Sequence, residues 1–268
     1  MDFTGKYTET PFSSDRELVV DVVELGLAKH NIKGSVEIDV TLARDYIKKY
    51  REKTGNRISF TGWIAKCIGH TVNENKQIHA LRKGKKKVII FEDIDILITV
   101  EKIKDGQKLP LPYVIRKANE KSLLEISGEI RNAQDLRVDS DTTVIGSSDK
   151  WLKLYRSVPG PFRKFIRNKI TKDPFLIKRN TGTVGISSVG MAGNFRGWIL
   201  PISPLPLQFA IGGITKKPGV IDDHIEIREY LSVSFLFDHD IVDGAAVARF
   251  LERLIFLMEN AFELTSLN

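Results

Sequence analysis

The feature that most constrains this chain is a change of hydrophobic period near its C-terminal end. Val233, Phe235 and Phe237 alternate with Ser232, Ser234 and Leu236, a period near two that predicts a strand with at least one buried face. The run Asp238-His239-Asp240 ends the alternation. Beyond it Ala245, Ala246, Phe250, Leu251, Leu254, Ile255, Leu257 and Met258 recur at helical spacing, and Asp243 is placed to cap that helix. A strand therefore delivers His239 into a tight turn ahead of a capped helix. Such a histidine has two readings, a loop residue satisfied by a backbone carbonyl or a working base.

The upstream sequence mixes predicted helices and strands. Ser14-Asp15-Arg16-Glu17 has capping-box spacing, and Leu18, Val19, Val22, Val23, Leu25 and Leu27 continue it as a helix. Val36, Ile38 and Val40 predict a strand, Thr41 a cap for a helix toward Gly55, and Phe60 to Asn73 a further helix. Lys87 to Val100 reads as one or two strands with a turn at the acidic residues Glu92, Asp93 and Asp95. An extended piece from Lys108 leads to a helix with Leu123, Leu124, Ile126 and Ile130 facing inward. With 268 residues, 42% of them hydrophobic, one domain over 1–268 is expected. Met1 to Phe12 lacks a secretory pattern and no apolar run approaches about 18 residues, so a cytoplasmic location is expected. The single cysteine, Cys67, reads as core packing rather than a nucleophile. His30, His70, His79 and His224 are scattered, read as ordinary surface or packing residues, and predict no metal site.

His239-Asp-Ile-Val-Asp-Gly244, flanked by Ser-Phe-Leu-Phe-Asp and Ala-Ala-Val-Ala-Arg-Phe-Leu, resembles the active-site signature of the chloramphenicol acetyltransferase and dihydrolipoyl acyltransferase superfamily. Dihydrolipoyl acyltransferases supply the catalytic domain of the acyltransferase component of 2-oxo-acid dehydrogenase complexes. Val36-Glu-Ile-Asp-Val-Thr, Val114-Ile-Arg-Lys-Ala-Asn-Glu-Lys-Ser-Leu-Leu-Glu-Ile and Gly182-Thr-Val-Gly-Ile-Ser-Ser-Val-Gly-Met resemble further blocks of that family, in the same order. The resemblance spans roughly 14–136 and 180–262. It implies an α/β fold, a two-layer sandwich of mixed sheet and helices, assembled as a homotrimer with each active site between neighbouring subunits. It also implies transfer of an acyl group between a coenzyme A thioester and a thiol such as a dihydrolipoyl group.

The resemblance places the general base on His239 and the oxyanion donor on Ser187, 52 residues earlier, with Ser188 as the adjacent alternative. It puts Asp243 and Gly244 in the same catalytic motif, Asp243 mainly as a helix cap and Gly244 as the residue that lets the backbone turn closely. Ser188 and Gly244 are candidate contacts to coenzyme A. The chemistry calls for these residue types. A thiol with a pKa of about 8.5 is mostly protonated at neutral pH and needs a base, which neutral imidazole supplies. The carbonyl oxygen that becomes negative needs a preorganised donor.

Two departures from the family stand out. Asp240 occupies the position after the histidine where dihydrolipoyl acyltransferases generally carry arginine, and a carboxylate there is expected to raise the histidine pKa and alter acceptor contacts. Lipoyl and subunit-binding segments with Ala- and Pro-rich linkers are not recognised, so no covalently bound lipoyl group is expected and a lipoyl or carrier protein would act in trans. An insertion is expected at about 137–180. From Lys150 to Arg179 it holds ten Lys and Arg against one acid, Asp173, in a chain of net charge +7. Trp151, Leu152, Leu154 and Tyr155, then Phe162, Phe165, Ile166 and Ile170, predict two basic amphipathic helices around Pro159-Gly160-Pro161. Such helices suit an anionic membrane surface, an acidic carrier protein or the phosphates of coenzyme A, or are a solvated elaboration. Nucleic acid is disfavoured because no recognition motif accompanies the charge. Two non-enzymatic readings stay open: a catalytically silent trimeric scaffold, and a membrane- or carrier-binding module.

Overall fold

The computed structural model describes residues 4–104, 107–136, 158, 162, 166, 171–190 and 196–267. In chain order these form α1 (Ser14–Leu27), β1 (Asn31–Asp39), α2 (Thr41–Thr54), α3 (Phe60–Glu74), a 3₁₀ turn (Lys76–His79), β2 (Leu81–Lys83), β3 (Lys87–Ile89), β4 (Ile96–Lys104) and β5 (Gln107–Ile115). There follow α4 (Leu123–Asp135), α5 (Pro174–Thr181), β6 (Val184–Ser188), β7 (Leu207–Ile221), β8 (His224–Asp238) and α6 (Gly244–Glu259). Six strands make one mixed sheet in the order β1-β8-β7-β6-β4-β5, while β2 and β3 form a separate hairpin. Pairing is antiparallel except for β6, which runs parallel to both β4 and β7. The two-layer α/β architecture expected above is present.

One face of the sheet carries α2, α3, α4 and α6. Buried residues from both layers, among them Ile38, Trp63, Ile98, Ile126, Phe209 and Leu254, make one continuous core. Its centre is aromatic. Phe237 of β8 meets Phe209 of β7 edge-on at 6.1 Å and Phe250 of α6 at 5.5 Å. Each such side chain contributes about 1.5–3 kcal/mol by leaving water, and this cluster fixes where β8 stops and α6 begins. The other face of β8 is buried as well: residues 231–238 are all inaccessible, including Ser232, Ser234 and Leu236. The alternation read from sequence was thus a strand covered on both sides.

Several local expectations change. α1 is capped by Ser13, whose hydroxyl accepts from the Arg16 N–H at 3.3 Å, so the cap lies one residue ahead of the expected box. Thr41 does not cap α2; its N–H and hydroxyl both donate to Asp39 Oδ1, at 2.9 and 2.6 Å, and its hydroxyl accepts from Glu229 N–H. α4 has a complete capping box at Ser122 and Glu125 and buries Leu123, Ile126 and Ile130, but Leu124 falls on its outer side and is 42% exposed. Lys87–Val100 resolves into β3 and β4 with the acidic turn between them. Cys67 is fully buried in α3, and burial pushes its thiol pKa far up, as suits a packing residue.

The two basic helices expected around Pro159-Gly160-Pro161 lie outside the described residues apart from isolated positions. The end of that segment does not. α5 is capped by Asp173 and anchored to the sheet by Lys178, whose ammonium donates to Asp93 O at 2.7 Å and pairs with buried Asp95 at 2.8 Å. Among the described residues no helix is long and apolar enough to cross a membrane, and no three His, Cys, Asp or Glu side chains gather as a metal site.

Candidate active site

His239 sits in the turn immediately after β8, exposed, where the sequence places it. Its backbone is held firmly: His239 N–H donates to His30 O at 2.7 Å, just before β1. Asp238, 3% exposed, organises the turn with both carboxylate oxygens. Oδ2 pairs with Lys29 Nζ at 2.6 Å, and Oδ1 accepts from Asp240 N–H at 3.1 Å. The Asp238 carbonyl then accepts from Ile241 and Val242 N–H, and its own N–H donates to Pro206 O at 2.9 Å. Among the described residues the imidazole itself makes no hydrogen bond.

Asp243 caps α6, accepting from Ala246 N–H at 2.8 Å. That oxygen is engaged with the helix end, not with His239, so the residue does not complete a triad. Gly244 departs from expectation. It is the first residue of α6, its φ is not in the left-handed region, and a Cβ there would meet nothing within 4 Å. The turn does not need its flexibility; the missing side chain instead leaves open space beside the cap.

Asp240 is the second departure. Its Oδ1 lies 3.0 Å from His30 Nδ1, and its Oδ2 accepts from Arg82 Nη1 of β2 at 3.0 Å. The hydrogen bond to His30, together with Arg82, holds this carboxyl below the usual carboxylate range. The carboxylate is therefore matched by a guanidinium supplied from another part of the chain. His30, read from sequence as an ordinary residue, belongs to this turn.

Ser187 and Ser188 end β6. Consecutive strand residues point to opposite faces, and the two serines accordingly have different surroundings. Ser187 Oγ accepts from Gln208 Nε2 at 2.9 Å, leaving its own O–H free to donate. Gln208, 6% exposed, also donates to Phe209 O, and its amide fits because position 185 lacks a side chain: a Cβ on Gly185 would lie 2.0 Å from Gln208 Oε1. Ser188 faces the helix layer and lines a cavity of about 440 Å³ with Arg44, Phe60, Ile211, Ile214 and Leu231.

One chain does not bring Ser187 and His239 together. Phe237 is paired with Leu207 and Leu207 with Val184, so β6 starts at the His239 end of the sheet. Ser187 is three residues further along in one direction and His239 two residues in the other. Five steps of about 3.3 Å and two strand spacings of about 4.8 Å put them roughly 20 Å apart. The histidine stands at one end of the sheet and the serine near its middle, level with Ser234.

Lys29, His30, Arg82, Gln208 and Asp238 were not singled out from sequence. Asp238 adjoins the motif and was within reach of it. Lys29 and His30 are brought in by the register that sets Asn31 opposite Asp238, Gln208 by the pairing of β7 with β6, and Arg82 by the separate β2–β3 hairpin.

The chain matches the family model described as 2-oxoacid dehydrogenases acyltransferase (catalytic domain) over residues 6–143 and 178–266. It is 25% identical to the lipoamide acyltransferase component of the branched-chain alpha-keto acid dehydrogenase complex of Bacillus subtilis, over 95% of this chain and 54% of that protein. The chain spans about half the length of the curated relatives it matches. A structure of a probable dihydrolipoamide acetyltransferase from Listeria monocytogenes superposes with a TM-score of 0.68 at 20% identity, covering 97% of both chains. One of Azotobacter vinelandii dihydrolipoamide acetyltransferase, from work on a serine, a histidine and an asparagine in its catalytic mechanism, gives 0.69 at 18% identity over 99% of this chain and 97% of that one. Through its family match, with the fold agreeing, the chain belongs to the 2-oxoacid dehydrogenase acyltransferase family, in the part that forms the catalytic domain.

Proposed function

We propose that this protein transfers an acyl group between a coenzyme A thioester and a dihydrolipoyl thiol, with His239 of one subunit acting beside Ser187 of the next. The observation that carries the reading is the His239 turn itself: a backbone fixed by His30, Asp238 and the α6 cap, presenting an exposed imidazole. The neutral ring takes the thiol proton as sulfur attacks the thioester carbonyl. The negative oxygen then accepts a hydrogen bond from Ser187 O–H, the imidazolium returns its proton to the departing thiol, and no acyl-enzyme forms. General base catalysis of this kind contributes about 10²–10⁴-fold.

The spacing supports the assignment. The serine and histidine studied in the Azotobacter vinelandii enzyme are 52 residues apart and its histidine and asparagine four apart; Ser187, His239 and Asp243 repeat both intervals. The separation of Ser187 and His239 within one chain favours a site completed by a second copy. Apolar side chains left exposed on α1, Val19, Val20, Val22 and Leu27, and on the β7–β8 hairpin, Val220, Ile225 and Ile227, supply surface for such an assembly. We read that assembly as a homotrimer or a larger array of trimers, with Ser188 and the open space at Gly244 as contacts for coenzyme A.

The test is acyl transfer from a panel of acyl-coenzyme A thioesters to dihydrolipoamide, comparing the native chain with His239→Ala. The variant should lose about 10²–10⁴-fold in kcat while its thermal unfolding is unchanged. Equal rates in both proteins, or no transfer by the native chain across short and long acyl groups, would leave the scaffold reading in its place.

A further inference from the structure

The β2–β3 hairpin concentrates positive charge beside the His239 turn. Arg82, Lys83, Lys85, Lys86 and Lys87 fill five of the six positions from 82 to 87, all exposed, and Gly84 at φ 63° reverses the chain between them. Arg82 ties the hairpin down, its Nε donating to Gly84 O and its Nη1 to Asp240 Oδ2, each at 3.0 Å. Asp240 follows His239 directly. Lys83 rests over the Phe175 ring of α5 at 4.9 Å, while Lys85, Lys86 and Lys87 pair with no carboxylate among the described residues. Val88 and Ile90 add half-exposed apolar surface on the same arm.

An exposed hairpin of this kind does not enclose a small ligand. It offers a macromolecular partner a face with an apolar component and a dense positive charge. Like charges crowded without counter-charges repel each other, and an acidic partner removes that cost.

We propose that the β2–β3 hairpin docks an acidic carrier domain, so that the carrier's dihydrolipoyl arm enters at His239. The proposal rests on the acyl-transfer reading above and adds the surface its partner uses. The Arg82–Asp240 pair couples the docked domain to the catalytic turn. Charge of this density raises association rates by about 10–10³-fold at low ionic strength, and the effect fades as salt screens it.

The experiment uses a variant with Lys83, Lys85, Lys86 and Lys87 all changed to Glu, leaving Arg82 in place. Three quantities are compared with the native protein: binding of a lipoylated domain with an acidic surface, kcat/KM for that domain, and kcat/KM for free dihydrolipoamide. Domain binding and kcat/KM for the domain should both fall at least about tenfold and lose their salt dependence, with transfer to free dihydrolipoamide unchanged. Unchanged domain binding in the variant, or no binding by the native chain, overturns the proposal. So does a raised KM for acetyl-coenzyme A with domain binding intact, which would make the lysines a phosphate site. If the native chain binds the domain through these lysines yet transfers to neither acceptor, the docking surface stands and the acyl-transfer reading falls.

Discussion

The end of β8 and the end of β6 hold their functional side chains in opposite ways. At the β8 end, His239 is surrounded by bonds that fix its backbone: its N–H to His30, the Asp238 carboxylate to Lys29 and to Asp240 N–H, and Asp240 to His30 and Arg82. At the end of β6, near the middle of the sheet, Ser187 is steered by one neutral amide, Gln208, through one 2.9 Å bond. The difference matches the tasks proposed for them. A base that receives and returns a proton needs a rigid mount and an unencumbered ring, whereas an oxyanion donor needs only its O–H aimed. The charged mount also tolerates Asp240, because the carboxylate is already engaged with His30 and Arg82.

The largest test of this comparison is whether the serine and the histidine act within one chain or between chains. Ser187→Ala should lose about 10²–10³-fold in kcat, and Ser188→Ala much less. If the site is shared, co-refolding Ser187→Ala with His239→Ala regenerates sites with both native side chains, about one quarter of the total for random assembly in a closed ring. Activity rising to that level, measured against either variant alone, supports a site between subunits. A mixture as inactive as its components would place serine and histidine in one chain and contradict the separation of roughly 20 Å.

The same comparison explains what was legible in the sequence. The β8–turn–α6 unit is local: alternating Val233, Phe235 and Phe237, then Asp243 and the apolar helix stripe, all lie within one stretch. Its meaning could be read in chain order. Lys29 and His30 reach the turn only because β1 pairs with β8, and Gln208 meets Ser187 only because β7 pairs in parallel with β6. No local pattern announces such partners. The opposite outlook of Ser187 and Ser188 was implicit in strand geometry, but which face held the cavity depended on where α2 and α3 packed.

Removing the charged mount should cost less than removing the base and should show first in stability. Asp238→Ala deprives Lys29 of its partner and the Asp240 N–H of its acceptor, at a cost of about 3 kcal/mol. Chemical denaturation would measure that loss, and kcat should fall with it as the His239 turn loosens. Full stability in this variant would mean that the backbone bonds alone define the turn.

A smaller effect belongs to the 3₁₀ turn ahead of β2, where His79 is buried with Nδ1 2.6 Å from Thr183 Oγ1 and Nε2 3.2 Å from Phe91 O. Burial lowers its pKa to about 4, so the folded protein keeps the ring neutral. The unfolded chain protonates this residue near pH 6.5, so its stabilising contribution is complete above that pH and is lost as pH falls toward 4. At pH 5 the loss should be about 2 kcal/mol. A His79→Gln variant should show a flatter stability profile between pH 7 and 5; a profile identical to the native one would place the pH sensitivity elsewhere.

The smallest expected effect is the most direct probe of the weaker mount. Gln208→Leu keeps the approximate volume of the side chain but removes the donor to Ser187, freeing the hydroxyl to rotate away from the oxyanion position. With one neutral hydrogen bond worth about 1 kcal/mol, kcat should fall by roughly fivefold to tenfold while KM for both substrates stays put. Gln208→Asn, one methylene shorter, should recover part of that loss if orientation is the cause. Gly185→Ala should mimic Gln208→Leu with both Gln208 and Ser187 still in place, because its Cβ would lie 2.0 Å from the Gln208 amide oxygen and push that side chain aside. A fall in KM-dependent binding instead of kcat would mean that Gln208 shapes the substrate channel and that Ser187 is aimed by the strand alone.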